Sequence, residues 1–313
     1  MSQEIMQVTS LPGPMLNALQ EEGYLVHDHA HITDPAALTK VTALVGMGGS
    51  AKVDRNLLSM LPNVKVIVIH GVGYDGVDVA AAKERGIVVT HTPDVLNDDV
   101  ADLALALMLS IGRKIPQADR FVRNGDWASE PFPMTRKVSG ARLGIVGLGR
   151  IGQAIAKRAQ GFDMNIAYSG RQAKVGVPYV FYPNVTELAK VVDFLVLTVP
   201  GGKETKNLVN AEVLQALGAK GFLINVARGP VVDEPELIHA LKTKSIAGAA
   251  CDVFWDEPSI SPELRALQNT VLTPHIGCHT LETRRAMAEL AMRNLNAFFK
   301  GEPLPTPVPE CMA

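Results

Sequence analysis

Short apolar runs alternate with amphipathic segments along most of the chain, and this alternation predicts strands and helices in turn. In the N-terminal part, apolar β-rich runs at 42–45, 64–69 and 87–90 predict strands, and the segments 53–61 and 77–85 between them have helical spacing. From residue 140 the alternation becomes more regular. It predicts strands at 143–146, 165–168, 194–198, 221–225, 247–251 and 270–273, with helices that include 211–217 and 235–242. Such a pattern favours an α/β fold with doubly wound parallel sheets.

Two longer helices and one irregular segment interrupt the alternation. Asn97-Asp98-Asp99 are predicted to cap a buried helix over 100–111, and a last helix is predicted from Leu281 to about Phe299. A Pro-rich tail over 303–309 is expected to be extended.

The segment 113–140 is predicted to be an exposed, irregular arm. It contains Trp127, Phe132 and Met134 with two nearby prolines. Exposed large apolar side chains often contact another subunit, but they can equally dock on their own domain. The pattern leaves both interpretations open.

The regular region begins where an apolar strand breaks at three glycines. Gly147, Gly149 and Gly152 follow the run 143–146 in the spacing Gly-x-Gly-x-x-Gly, and an amphipathic helix begins after them. In this pattern the first glycine allows a tight turn, the second lets the backbone approach a pyrophosphate, and the third lets the helix pack against the strand. The helix N-terminus offers N–H groups and partial positive charge to the pyrophosphate. The stretch therefore predicts a dinucleotide-binding turn.

The composition of the chain restricts the classes of protein to which it can belong. A chain of 313 residues, with 47% hydrophobic and 20% charged residues, is long enough for two domains with real cores. The net charge of -2 provides no basic field for nucleic acid. The three cysteines are scattered and lack CxxC spacing, which is typical of reduced thiols. With no signal-peptide pattern and no apolar run long enough to span a bilayer, we expect a cytoplasmic protein without membrane partners.

Two glycine-rich loops and a histidine triplet are further candidates. The loops 46–50 and 71–75 can present backbone N–H groups to a ligand, or they can simply be tight turns. His27, His29 and His31 would share one face of a strand, which favours either a metal site or a solvated edge strand. Because no cysteine or carboxylate cluster accompanies them, the edge strand is favoured and no metal is predicted.

Three polar residues follow the ends of late strands. Arg228 follows the strand that ends at Asn225, while Glu257 and His275 follow the next two predicted strands. A histidine beside a carboxylate is held in one tautomer and can donate a proton to a developing alkoxide. A guanidinium can bind a carboxylate through two hydrogen bonds and polarise a neighbouring carbonyl. Beside a dinucleotide turn, these three groups together predict reduction of a 2-oxo acid.

The segments that carry these residues resemble a known family. The glycine turn, Asn-x-Ala-Arg-Gly at 225–229, Asp-Val-Phe-x-x-Glu-Pro at 252–258 and Pro-His-Ile-Gly at 274–277 resemble the D-2-hydroxyacid dehydrogenases in type and order. The likeness covers nearly the whole chain. Within the family it is greatest to glyoxylate/hydroxypyruvate reductases and somewhat less to hydroxyphenylpyruvate reductases, and the segment 92–102 is part of it.

The resemblance implies roles in catalysis and substrate binding. His275 would be the proton donor and Glu257 its partner, while Arg228 would hold the substrate. Backbone N–H groups of Val72 and Gly73 would bind the substrate carboxylate. Met47 and Gly48 would lie nearby.

The resemblance also implies the cofactor site. Asp252 would hold the nicotinamide carboxamide, and the cofactor-binding residues would follow strand ends. They are Gly147, Leu148, Gly149, Arg150, Ile151, Gly152, Val199, Pro200, Thr205, Val226, Ala227, Asp252 and Gly277.

The implied organisation is a discontinuous pair of domains. Residues 1–97 and 281–313 would form a flavodoxin-like substrate-binding domain, and 98–280 would form a Rossmann domain, with the active site in the cleft between them. Family members are typically dimers, so the resemblance implies a homodimer through the Rossmann domain and the 113–140 arm.

The chain departs from the common family pattern in its second Rossmann strand. NAD enzymes usually place an acid about 20 residues past the glycine turn. Here Ser169 and Arg171 stand at the strand end, with Lys174 nearby and no acid. Because a guanidinium binds a 2′-phosphate and a carboxylate would repel it, NADP(H) is predicted to be preferred, with NAD(H) possible.

The sequence does not decide the roles of three further residues. Trp255 could narrow the pocket or cover its loop, and His279 could line the cleft or cap the last helix. Cys278 stands where the family more often has a small residue.

The predicted function is NADPH-dependent reduction of glyoxylate or hydroxypyruvate to glycolate or D-glycerate. Alternatives within the family are a hydroxyphenylpyruvate reductase, a phosphoglycerate dehydrogenase or another D-2-hydroxyacid dehydrogenase. An alternative from another class is a nicotinamide-sensing corepressor.

Overall fold

The computed structural model describes residues 3–31 and 34–312, and the chain divides into two compact units. The terminal unit comprises Met1–Leu96 with Cys278–Ala313, and the central unit comprises Asn97–Gly277. The strands are β1 (Glu4–Gln7), β2 (Leu25–Asp28), β3 (Ala43–Met47), β4 (Val66–His70), β5 (Val88–Thr90), β6 (Arg142–Val146), β7 (Asn165–Ser169), β8 (Val180–Tyr182), β9 (Phe194–Leu197), β10 (Phe222–Asn225), β11 (Gly248–Cys251) and β12 (Thr270–Leu272). The helices are α1 (Gly13–Glu21), α2 (Pro35–Leu38), α3 (Arg55–Met60), α4 (Val79–Glu84), α5 (Asn97–Arg113), α6 (Ile115–Arg123), α7 (Arg150–Gln160), α8 (Val185–Ala189), α9 (Ala211–Leu217), α10 (Glu234–Lys242), α11 (Pro262–Ala266) and α12 (Leu281–Lys300).

Each unit is built on a parallel sheet. The terminal unit has strand order β2-β1-β3-β4-β5, which is the flavodoxin-like order. The central unit has the order β12-β11-β10-β9-β6-β7-β8, and counted from β6 this is the Rossmann order with one added strand. The predicted fold class, two doubly wound parallel-sheet α/β units, is confirmed. Ligands of such sheets bind at the carboxyl ends of the strands.

Alternation along the strands builds a core on both faces of the terminal sheet. In β4, Ile67 and Ile69 pack in one apolar cluster with Leu58 of α3, whereas Val66 and Val68 belong to a cluster on the other face. That second cluster includes residues of α1 and α12, so the last helix is part of the core of the terminal unit. Side chains of successive strand residues point to opposite faces, which is why one strand can serve both clusters.

The central strands of the second sheet are buried at every position. All residues of β9, β10 and β11 are buried, as expected for strands covered by helices on both faces. Several helices begin at the residues that sequence rules favour. The side chains of Asn210 and Asp233 accept hydrogen bonds from backbone N–H groups at the starts of α9 and α10.

Two local predictions are corrected. Asn97, Asp98 and Asp99 do not precede the helix but form its first residues. The negative charges of Asp98 and Asp99 in the first turn interact favourably with the positive end of the helix dipole. The 113–140 arm is not wholly irregular, because α6 and a 3₁₀ turn at Asp126–Ala128 occupy its first half. No residue of α6 is buried, and Met134 is fully exposed.

One histidine of the triplet lies on an edge strand, and the prediction that all three share one strand face is wrong. β2 is the outermost strand of its sheet and ends at Asp28, so only His27 of the three belongs to it. His27 Nε2 lies 2.8 Å from Glu4 Oε2, and His31 Nδ1 lies 3.2 Å from Asp28 Oδ2. Within the described chain, no cluster of His, Cys, Asp and Glu could hold a metal ion.

Among the described residues, no helix combines the length and the apolar character that crossing a bilayer requires.

His70, at the end of β4, is a buried and uncharged imidazole. It is fully buried, and neither ring nitrogen makes a hydrogen bond to the described residues. Burial lowers the pKa of His70 to about 4, and the charge of Arg284 on α12 adds to that shift, while nearby backbone carbonyls oppose it. The native protein therefore excludes a proton that the unfolded chain accepts.

We expect this histidine to make stability fall with acidity. Between its unfolded pKa of about 6.5 and its native value, only the unfolded chain binds the proton, so the free energy of unfolding declines as pH decreases. From about pH 7.5 to about pH 5 this contribution amounts to about 2 kcal/mol. Urea unfolding of the wild type and of His70→Leu at both pH values checks it. If the free energy of unfolding decreased equally in the two proteins between these pH values, protonation of His70 would not destabilise the native state.

Candidate active site

The glycine turn after β6 has the conformation that a dinucleotide requires. Gly147 has φ +94°, and its N–H donates to the Ser169 carbonyl at 2.8 Å, which ties the turn to the end of β7. A Cβ on Gly152 would lie 2.3 Å from the Gly147 carbonyl oxygen, so only glycine lets α7 start this close to the strand. A Cβ on Gly149 would meet nothing within 4 Å. The turn thus leaves open space beside the N-terminus of α7, where a pyrophosphate fits.

The end of β7 carries positive charge and no acid. Ser169 is the last residue of the strand and is 3% exposed. Arg171 is exposed, and no carboxylate in the described part of the chain pairs with it. The buried Tyr168 accepts a hydrogen bond from the N–H of Lys174 at 2.6 Å, which fixes the loop that presents these residues. This strand end therefore has exposed positive charge at Arg171, beside the buried Ser169.

Arg228 stands on a turn that Asn225 closes. Asn225 Oδ1 accepts from the Ala227 N–H at 3.0 Å, and its Nδ2 donates to the Arg228 carbonyl at 3.0 Å. Arg228 Nη1 donates to the Ala227 carbonyl at 2.8 Å, and its side chain is half-buried. Sequence reasoning did not single out Asn225, although a polar residue that ends an apolar strand is the signal that could have found it.

The turn of Arg228 packs directly on the segment that carries the glutamate. A Cβ on Gly229 would lie 1.9 Å from the Phe254 carbonyl, so the two backbones are in contact at this glycine. This contact brings Arg228 close enough to Glu257 for its charge to act on that carboxyl.

His275 and Glu257 form a hydrogen-bonded pair. His275 Nδ1 lies 2.6 Å from Glu257 Oε2, and Glu257 Oε1 accepts the Phe254 N–H at 2.9 Å. Because a carboxylate only accepts, Nδ1 carries the proton and Nε2 is the nitrogen left for a substrate. The side chains are 39% and 32% exposed, so a ligand can reach the pair.

The charge state of Glu257 fits this pairing. Burial raises the pKa of Glu257, but the hydrogen bond and charge of His275 outweigh it, with smaller contributions from the Phe254 N–H and the charge of Arg228. The net pKa is below its usual value, and the residue is a carboxylate at neutral pH.

Asp252 holds the turn on which His275 stands. It is 2% exposed, and it accepts hydrogen bonds from the Thr273 hydroxyl at 2.6 Å and from the N–H groups of Ile276 and Gly277 at 2.8 and 2.9 Å. Burial raises the pKa of Asp252, and these hydrogen bonds and the charge of His275 oppose the shift only in part. His275 itself has φ +53°, a conformation that non-glycine residues adopt only where the surroundings impose it. The nicotinamide contact proposed for Asp252 stays a prediction.

The predicted carboxylate loops lie side by side within the terminal unit. Met47 and His70 are register partners at the ends of β3 and β4. A Cβ on Gly48 would lie 2.4 Å from the Gly73 carbonyl, so the two loops are in contact there. The Met47 N–H donates to the Thr9 hydroxyl at 2.7 Å. The structure therefore brings Met47, Gly48, Val72 and Gly73 together.

The remaining predicted cofactor residues follow the carboxyl ends of neighbouring strands in the central sheet. A Cβ on Gly147 would lie 2.9 Å from Val199 Cγ1, so the turn after β9 adjoins the glycine turn. The Thr205 hydroxyl donates to the Pro200 carbonyl at 2.7 Å. The other members are Leu148, Arg150 and Ile151 at the glycine turn, Val226 and Ala227 after β10, and Gly277 beside Asp252.

The structure defines the surroundings of two residues whose roles the sequence did not decide. Trp255 is 41% exposed, and its indole N–H donates to the Val232 carbonyl at 2.6 Å, so it covers its own loop. His279 is exposed and does not cap α12, because Thr280 accepts the Thr283 N–H in that role. The capping interpretation of His279 is wrong.

Comparison with known proteins agrees with this geometry. The sequence model of the D-isomer-specific 2-hydroxyacid dehydrogenase, NAD-binding domain, matches residues 105–277. The chain is 50% identical to a glyoxylate/hydroxypyruvate reductase A of Arabidopsis thaliana, over 86% of this chain and 85% of the relative. It is 48% identical to a hydroxyphenylpyruvate reductase of Plectranthus scutellarioides over the same shares.

A solved structure is similar over nearly the whole chain. It is the crystal structure of an NADPH-dependent glyoxylate/hydroxypyruvate reductase from Sinorhizobium meliloti in complex with NADP and malonate. The TM-score is 0.93 at 39% identity, and the match covers 99% of this chain and 98% of that one. With its glycine turn, its His275–Glu257 pair and these relatives, the chain belongs to the D-isomer-specific 2-hydroxyacid dehydrogenase family.

Proposed function

We propose that this protein reduces a small 2-oxo acid, glyoxylate or hydroxypyruvate, with NADPH. The observation that carries the proposal is the His275–Glu257 pair, with Nδ1 bound and Nε2 left for a substrate, on the strand ends that also carry Arg228. The glycine turn of the same sheet has the shape for a dinucleotide. The relatives with the same family membership include glyoxylate/hydroxypyruvate reductases.

The residues divide the work of the reduction. When bound, the nicotinamide supplies the hydride. His275 donates the proton from Nε2 to the developing alkoxide, and Glu257 keeps the imidazole oriented and stabilises its charged form. Arg228 binds the substrate carboxylate and polarises the carbonyl. In the terminal unit, the N–H groups of Val72 and Gly73 bind a substrate carboxylate.

The test is a matrix of initial rates. NADPH and NADH are crossed with glyoxylate, hydroxypyruvate, hydroxyphenylpyruvate, phenylpyruvate, pyruvate and 2-ketogluconate. We expect the highest kcat/KM for glyoxylate or hydroxypyruvate with NADPH. A maximum at hydroxyphenylpyruvate would instead assign the protein to the hydroxyphenylpyruvate reductases, and cofactor binding without any turnover would support a sensing role.

The preference for NADPH is proposed from the end of β7. Arg171 is exposed and has no carboxylate partner among the described residues, and Ser169 stands near it at the strand end. A 2′-phosphate would form charge-assisted hydrogen bonds with this pair, and no acid is present to bind the ribose hydroxyls of NADH.

Arg171→Ala is expected to raise KM for NADPH by about tenfold or more and to leave KM for NADH unchanged, because one charged contact to phosphate is lost. Arg171→Lys keeps the charge without the planar pair of donors, so a smaller increase is expected. Steady-state kinetics with both cofactors checks this. Equal KM values for NADPH in the wild type and Arg171→Ala would remove Arg171 from the phosphate site.

A homodimer is part of the proposal. Ile115, Val122, Trp127 and Met134 are all at least half exposed in the 113–140 arm, and α6 has no buried residue of its own. Such an apolar surface suits contact with a second copy.

A further inference from the structure

We propose that His91 and Thr92 are positioning residues that aim the N–H groups of Val72 and Gly73 at the substrate carboxylate. The inference rests on the proposed function, in which these two N–H groups bind that carboxylate. It adds the residues that set their direction.

The two N–H groups are free to bind an anion. Among residues 3–31 and 34–312, no atom accepts a hydrogen bond from the backbone N–H of Val72 or of Gly73. Successive free N–H groups in a turn form a concave site for an anion. Their usefulness depends on whether both point away from the protein interior.

The carbonyls on the other side of the same peptides are held firmly. The Gly71 carbonyl accepts the Thr92 N–H at 2.9 Å, and the Thr92 hydroxyl in turn accepts the Gly71 N–H at 2.9 Å. The Val72 carbonyl lies 2.9 Å from His91 Nδ1. Because a carbonyl only accepts, Nδ1 is the donor of that bond.

Peptide planarity converts these bonds into a direction. In a trans peptide the C=O of one residue and the N–H of the next point in opposite directions, and neither peptide is cis here. With the carbonyls of Gly71 and Val72 turned toward residues 91 and 92, the N–H groups of Val72 and Gly73 face the opposite side.

His91 is itself fixed by the tail and the last helix. Its N–H donates to the Thr306 carbonyl at 3.1 Å, and its own carbonyl accepts the Thr306 hydroxyl at 2.6 Å. Asn294 of α12, fully buried, bonds Thr306 through both side-chain atoms, at 2.8 and 3.0 Å. The His91 ring lies edge-on to Tyr74, with 5.5 Å between centroids. A rigid scaffold therefore holds the donor that orients the Val72–Gly73 peptide.

The experiment removes one donor and then restores it. His91→Phe keeps a planar ring and removes the hydrogen bond to Val72, whereas His91→Asn places an amide nitrogen where Nδ1 stood. KM for glyoxylate and kcat are measured for each, together with Kd for NADPH and Kd for oxalate in the NADPH complex.

We expect His91→Phe to raise KM for glyoxylate and Kd for oxalate by about tenfold, since charge-assisted hydrogen bonds to the carboxylate are misdirected. The Kd for NADPH and kcat should stay within about threefold, and His91→Asn should recover most of the loss. Unchanged oxalate binding in His91→Phe, or equal damage in both variants, would overturn the inference.

Thr92→Val provides an independent variant if His91→Phe does not fold. It keeps the shape of the side chain and removes the hydroxyl acceptor of the Gly71 N–H, which then keeps only the Ile69 carbonyl at 3.1 Å, while Thr92→Ser retains the hydroxyl. Because the Thr92 N–H still holds the Gly71 carbonyl in Thr92→Val, a smaller rise in oxalate Kd than for His91→Phe is expected, and none for Thr92→Ser. Equal oxalate binding in Thr92→Val and the wild type would contradict the part of the inference that concerns Thr92.

The Kd of oxalate is measured by titration, so the measurement does not require catalytic turnover. An enzyme that reduces neither glyoxylate nor hydroxypyruvate would contradict the proposed function, and the oxalate measurements would still report whether His91 and Thr92 aim the N–H pair.

Discussion

Replacing His275 by asparagine is expected to lower kcat for glyoxylate by at least about 100-fold, with little change in NADPH binding. Asparagine places an amide nitrogen near the position of Nδ1, so the bond to Glu257, now 2.6 Å long, can be kept. It also tolerates the left-handed conformation at this position better than most residues. What it removes is the second ring nitrogen and the proton that this nitrogen donates.

The matched control is His239→Asn, because His239 is exposed on α10 and takes no part in the proposed site. Single-turnover rates and NADPH titration separate loss of chemistry from loss of cofactor. Turnover retained in His275→Asn would assign proton donation to another group or to water.

The sheets and the glycine turn could be predicted because their sequence signals are local. Strands β9, β10 and β11 are buried on both faces, so they appear as apolar runs. Gly147 and Gly152 are required by a positive φ and by a close backbone contact, and both requirements belong to one turn.

Elements without a buried pattern were missed or misplaced. Strand β8 has three residues, none of them buried, so neither its length nor its burial distinguishes it from a loop. Helix α6 has a proline in its first turn, a position where helices tolerate proline. The two later prolines of the arm nevertheless led to the prediction that the whole segment is irregular. The start of α5 shows that Asp and Asn favour both the cap and the first turn.

For the site, the sequence indicated which residues stand at strand ends but not which atoms they bind. Asp252 is an example: its carboxylate closes the turn of residues 273–277, and only the folded backbone brings those N–H groups to it. The φ of +53° at His275 likewise depends on surrounding structure, since no glycine marks it. The role of His91 was missed for the same reason, because its partner Val72 is distant in the chain.

Replacing Arg228 by glutamine is expected to lower kcat/KM for glyoxylate by about 10²–10³-fold, the effect of losing one preorganised donor to a developing negative charge. Arg228→Lys should fall between glutamine and the wild type, since lysine keeps the charge but cannot donate two parallel hydrogen bonds. The Kd for NADPH should not change. Arg265→Gln is the matched control, because Arg265 is exposed on α11.

A second measurement distinguishes a local role of Arg228 from a general loss of structure. Burial raises the pKa of Glu257, whereas His275, the Phe254 N–H and the charge of Arg228 lower it. The contribution of Arg228 is the smallest of these. Removing that charge makes Glu257 easier to protonate, so the acid limb of the kcat/KM profile should move to higher pH in Arg228→Gln. In Arg228→Lys, which keeps the charge, the limb should stay close to its wild-type position. If both variants lose activity with no movement of the acid limb, the Arg228 guanidinium does not act beside the His275–Glu257 pair, and its assignment to the substrate carbonyl fails.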